Sequence, residues 1–242
     1  MPRQCPFCEN TANSGEHVDP RWVSRLYLDA DSGPGTFTMS FGGLYPERTA
    51  RTLNQTVRVC RSCNGGWMAR LEERAKPELI MLKSGEALKI GSDGQQVLAW
   101  WLMKNAIVKE LVSPAPLPLR VSTQAQRQLV RSGSIPSGWR IAIGAYEGTG
   151  PNLVHHFSTV KRLVDSDGVP GGSVVLQTVR FECFVGQVLL HSMVETPVLR
   201  DLLGGPPYAI EIPKTDDVTW PPPTVLGPDS LKIVCDFGKT PP

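Results

Sequence analysis

The chain has 242 residues, of which 40% are apolar and 20% charged, and its formal net charge is +2. Such a composition belongs to a globular chain able to bury a substantial core in one large or two small domains, and it excludes an intrinsically disordered polymer. No apolar run reaches the roughly 18–20 residues that cross a bilayer, and the N-terminus lacks a signal-peptide core, so neither a membrane span nor secretion is expected and a cytoplasmic location is.

In chain order, the first feature is Cys5-Pro-Phe-Cys8, answered fifty residues later by Cys60-Arg-Ser-Cys63. Between them lies Glu16-His17-Val18-Asp19-Pro20, and Asn64 follows the second pair directly. Residues 27–50 are rich in Gly, Ser, Thr and Asp and read as an extended loop or irregular hairpin. Thr56–Val59 is a short strand feeding the second cysteine pair. Gly65–Ala75 follows as a helix with Trp67, Met68 and Leu71 on one stripe, and Pro77 is expected to close it.

The strongest helix signal covers Asp93–Val112, where Val97, Trp101, Lys104/Asn105 and Val108 recur turn by turn. Trp100 and Trp101 read as core anchors joining this helix to the cysteine-bearing segment, with base stacking as the alternative. Ser113-Pro-Ala-Pro-Leu-Pro118 marks a domain boundary. A shorter helix is expected over Ser122–Arg131, with Ser122 as its N-cap and Gly133 as its stop. The period then becomes that of strands: Trp139–Ile143, Val154–Phe157, Ser173–Val179, Phe184–Leu190 and finally Leu231–Cys235. The expected fold is α+β. Residues 1–76 form a metal-stapled module, 77–120 a helical connector with a Pro-rich linker, and 121–242 a mostly antiparallel α+β region.

Two Cys-x-x-Cys turns present four thiolates to one ion, and a tetrathiolate set suits zinc in a structural site, with no position left for water. Cys183 and Cys235 sit in apolar stretches and read as buried small hydrophobes. Glu16, His17 and Asn64 offer oxygen donors and a base, the ingredients of metal-assisted phosphodiester hydrolysis; oxygen donors suit Mg²⁺ or Mn²⁺ better than zinc. Neighbours on a strand face opposite ways, however, so Glu16 and His17 share a site only if the strand is twisted or bulged. Arg51, Arg58, Arg61, Arg70, Arg74 and Lys76 outnumber Glu72 and Glu73 between residues 51 and 76, a local excess suited either to phosphate contact or to a solvated helix face. His155 and His156 point to opposite faces of their strand and read as ordinary strand residues; His191 carries no assignment.

The pattern Cys-x-x-Cys, Glu-His-Val-x-Pro-x-Trp, Val-Cys-x-x-Cys-Asn-x-x-Trp-x-x-x-Leu-Glu resembles the HNH endonucleases of the ββα-metal group, in the subgroup with a four-cysteine zinc clamp. The resemblance covers about residues 3–75. It implies Cys5, Cys8, Cys60 and Cys63 as structural zinc ligands and His17 as the general base. It implies Glu16 and Asn64 as ligands of a catalytic Mg²⁺ or Mn²⁺, and Asn54, or its neighbour Gln55, as the residue that orients the base. Glu16 stands where Asp or His is commoner, and Asn64 where His is. Arg58, Arg61 and Arg70 become candidates for phosphate contact, with nucleic acid, expected to be DNA, as the partner. Two rival readings stay open. One is a non-catalytic zinc module with a degenerate HNH-like site that docks nucleic acid or protein. The other gives the main role to the β region from about residue 134, in homo-oligomerisation or partner binding.

Overall fold

The computed structural model describes residues 3–23, 36–40, 48–50, 55–112, 120–147, 152–164, 170–191 and 210–235. Asn54 and the boundary at residues 113–118 lie outside them. Strands β1 (Ser14–His17), β2 (Thr36–Ser40), β3 (Arg48–Ala50) and β4 (Thr56–Val59) precede the first long helix. β1 and β4 pair antiparallel from Ser14↔Val59 to His17↔Thr56 with no break in register. Within the segment expected to be an extended loop or irregular hairpin, β2 and β3 pair antiparallel, and β2 also joins the C-terminal sheet.

After Cys63 the chain makes a wide helical turn, Cys63–Met68, kinked at Gly66 (φ −99°, ψ −106°), and enters α1 (Ala69–Ser84). Pro77 does not close this helix, contrary to expectation. Leu71, Ala75, Leu79 and Leu82 keep one buried stripe running past it, and that continued burial outweighs the hydrogen bond a proline forfeits. Gly85, at φ +74°, supplies the left-handed residue that does end the helix.

β5 (Leu88–Ile90) leads into α2 (Ser92–Val112), within one residue of the expected span. From Val97 to Glu110 nearly every side chain of α2 is buried, the mark of a helix packed on all sides. α3 (Gln124–Arg131) is capped by Thr123 and not by Ser122: Thr123 and Gln126 form a reciprocal capping box. Ser122 is instead drawn to the buried Glu110, whose carboxylate accepts from its hydroxyl and its backbone N–H.

The strands β6 (Arg140–Ala145), β7 (Asn152–Val164), β8 (Pro170–Phe181), β9 (Phe184–His191) and β10 (Ile210–Glu211) complete a sheet ordered β10-β6-β9-β8-β7-β2-β3, in which only β2–β7 is parallel. β11 (Val218–Trp220) pairs with β5. The last expected strand is a helix, α4 (Pro228–Cys235). Pro228 at its first position and Asp229 in its first turn are helix-start residues, and they prevail over the strand preference of Ile233 and Val234.

α2 lies across the sheet at β9, where Gly186 permits the approach: a methyl group there would stand 2.3 Å from Leu102 Cδ2. One apolar core runs from Phe7 and the four cysteines through α1 and α2 to the sheet and Trp220. Among the described residues no helix is long and apolar enough to cross a membrane.

Candidate metal centre and the hairpin beside it

Each cysteine pair sits on its own turn. In the first, Cys5 N–H donates to the Asn10 carbonyl (2.8 Å) and Ala12 N–H to that of Arg3 (2.8 Å), closing a small hairpin. The second caps the end of β4, where Asn64 N–H donates to the Cys60 carbonyl (3.0 Å) and Cys63 N–H to Cys60 Sγ (3.3 Å). All four sulfurs are buried and lie within 4.8 Å of one another. Cys8 Sγ is 3.5 Å from Cys60 Sγ and 3.7 Å from Cys63 Sγ. Sulfurs held tetrahedrally about 2.3 Å from one ion stand about 3.8 Å apart, so the donor set fits a structural metal such as zinc.

The thiols are not alike before an ion arrives. Burial raises Cys8 and Cys63. Burial opposes ionisation of Cys60 too, but the Ser62 hydroxyl at 3.1 Å and the Cys63 N–H overcome it and pull the thiol down to about 6. Aromatic rings fasten this cluster to the rest of the chain. Phe7 meets Trp67 edge-on at 5.4 Å, and Trp67 stacks on Trp100 at 5.9 Å and 8°. Trp100 Nε1 donates to the Val130 carbonyl (2.5 Å) in α3, whose Arg127 Nε in turn donates to the Pro6 carbonyl (3.0 Å). Trp100 and Trp101 are thus packing anchors, Trp101 being fully buried against Phe181.

Asn64 also pins β1. Its Nδ2 donates to Ser14 Oγ (2.7 Å) and to the Gly15 carbonyl (2.9 Å). Gln55 lengthens the hairpin by accepting from Val18 N–H (3.0 Å). With an unbroken register, β1 and β4 obey simple alternation. Glu16 and Val59 are buried on the inner face, while Thr56 and Arg58 are exposed beside half-buried His17 on the outer face. The bulge that would bring Glu16 and His17 to one side is not there.

Inside, Glu16 Oε1 receives Lys104 Nζ at 2.5 Å, and the same ammonium reaches Glu72 Oε1 at 2.7 Å. Lys104 has no solvent exposure at all. Burial alone would discharge it, but two flanking carboxylates outweigh that and hold it protonated above the usual lysine range. Burial likewise raises Glu16, against the pull of Lys104. Next along, Asp19 Oδ1 pairs with His156 Nε2 at 2.7 Å, both buried, so His156 is not an ordinary strand residue: it fastens β7 to the segment after β1.

Outside, burial lowers the His17 pKa, and the nearby Arg21 guanidinium lowers it further. Both effects favour the neutral ring, the form that can accept a proton. Arg58, Arg61 and Arg70 are all exposed, as is Arg21. The residues that sequence spacing did not reveal are Lys104, which joins Glu16 to Glu72, and Arg21. The available signal for Lys104 was a charge at an apolar-stripe position, which requires a partner.

The Glu16 carboxylate assigned to Mg²⁺ or Mn²⁺ does not fit such an ion as it stands, because it carries the Lys104 ammonium. Asn64 donates its amide nitrogen to β1, which orients its side chain without engaging the carboxamide oxygen. Among the described residues, the cysteines are the only group of three or more His, Cys, Asp or Glu whose ligand atoms converge. No known protein family, curated protein or solved structure matches the chain.

Proposed function

We propose that the segment from Cys5 through α1 is an HNH-type module that hydrolyses phosphodiester bonds in nucleic acid, DNA being the favoured substrate, with zinc on the four cysteines as its staple. The observation that carries this reading is His17: a half-buried imidazole biased toward its neutral form at the end of β1, on the same face as the exposed Arg58 and beside Arg21. In this reading a ring nitrogen of His17 takes a proton from a water that attacks phosphorus. The guanidinium of Arg58 faces the non-bridging oxygens, and the 3′ oxygen departs with a proton from solvent. Arg61 and Arg70 extend the basic surface that holds the backbone.

The test is cleavage of plasmid, single-stranded DNA and RNA by the zinc-loaded protein and by a His17→Ala variant of equal zinc content. Loss of the base is expected to slow cleavage by about 10²–10⁴-fold. Equal cleavage by both proteins would remove His17 from the reaction.

A second reading rests on Lys104. With Glu16 and Glu72 already neutralised by an internal lysine, the module lacks a second metal and could serve as a zinc-stapled binding unit without hydrolysis. Nucleic-acid affinity combined with no cleavage of any of the three substrates would select it.

A further inference from the structure

The Glu16–Lys104–Glu72 cluster has the composition of a cation site whose cation is covalently attached to the protein. Its three members come from three elements far apart in the chain, β1, α2 and α1. Both carboxylates aim at one point, with oxygens 2.5 and 2.7 Å from it, and Lys104 Nζ occupies that point. Two carboxylates and completing waters are a common way of holding Mg²⁺ or Mn²⁺. Here an ammonium takes the place, shielded from water along the whole side chain.

We infer that Lys104 is a built-in cation that keeps divalent ions off Glu16 and Glu72, which leaves the cysteine cluster as the metal centre among the described residues. Lys104 is a positioning residue: its ammonium holds the inner face of β1 against α2 and α1, while His17 stays on the outer face. The inference does not depend on whether the module cleaves nucleic acid, because its test reads ion binding.

The experiment is Mn²⁺ titration of the zinc-loaded, full-length protein, followed by the electron paramagnetic resonance signal of free Mn²⁺. The wild type is expected to take up none. Lys104→Met is expected to take up a single Mn²⁺, and adding Glu16→Gln is expected to abolish that uptake. Mn²⁺ uptake by the wild type that Glu16→Gln removes would overturn the inference, as would a folded, zinc-loaded Lys104→Met that binds none. If Lys104→Met fails to fold, amine labelling of the wild type decides. Lys104 should stay unmodified, with and without excess Mn²⁺, while exposed Lys89 and Lys214 react. Labelling of Lys104 at their rate would contradict its place in the cluster.

Discussion

The Cys60→Ser/Cys63→Ser variant is expected to lose bound zinc and, with it, the folded state of the cysteine turns and the β1–β4 hairpin. The magnitude follows from a comparison. A structural zinc site contributes about 10–16 kcal/mol of apparent binding free energy, whereas whole domains are stable by only about 5–15 kcal/mol. Outside the cysteine turns the hairpin is held by the Glu16–Lys104 pair and by Val18 and Val59 in the core, which act on structure already folded around it. Its two strands are four residues each, and a two-stranded ribbon of that length is not stable alone. What fixes its position is the second cysteine turn, from which Asn64 reaches Ser14 and Gly15. Metal analysis and limited proteolysis check this: the variant should be zinc-free and cut within residues 3–23 or 55–68, while α2 and the strands β6 to β9 persist. Full protection without zinc would mean that packing by Phe7, Trp67 and Trp100 suffices.

The second large effect is expected at Lys104. Removing one partner of a buried ion pair costs about 3–5 kcal/mol, because the other charge is left without compensation. Lys104→Met leaves two carboxylates facing each other in the interior and removes the ammonium that counters the rise burial imposes on the Glu16 pKa. In a chain of this length the melting temperature should fall by on the order of 10 °C. Adding Glu16→Gln should recover part of the loss, since the variant then buries one carboxylate fewer. The double-mutant cycle in thermal or denaturant unfolding reads this directly. Strict additivity, or a change within about 0.5 kcal/mol for Lys104→Met, would show that the pair carries no coupling.

The parts of this molecule that could be read from sequence are those fixed by short-range rules. The cysteine spacing gave the clamp, because two Cys-x-x-Cys turns need only to meet. Alternation located β6 to β9, and the period of α2 located its helix to within one residue. Where local rules compete, sequence reading failed. Pro77 signals a stop, yet burial of Leu79 and Leu82 carries α1 through it. The run Leu231–Cys235 is apolar but for Lys232 and holds the β-branched pair Ile233-Val234, yet Pro228 and Asp229 start a helix there.

The site itself was half legible. The cysteines, whose sulfurs converge, were found by their motif. The environment of Glu16 was not, because Lys104 lies 88 residues away and pairing at that distance leaves no spacing to detect. Asp19 and His156, 137 residues apart, were missed for the same reason. In both cases the clue was a charged or titratable residue inside an apolar pattern. Such a residue is a demand for a partner, even when sequence cannot say which one.

The most direct measurement is the pH dependence of nucleic-acid cleavage by the zinc-loaded protein. If His17 is the base, the rate rises as its ring loses a proton. Burial and Arg21 both lower that pKa, so the acid limb should lie below the ordinary imidazole value of 6.5. Arg21→Gln removes a lowering influence smaller than burial and should move the limb upward. An acid limb that stays in place in Arg21→Gln and survives in His17→Ala would contradict the assignment of His17, and absence of cleavage by the folded, zinc-loaded protein would contradict the nuclease itself.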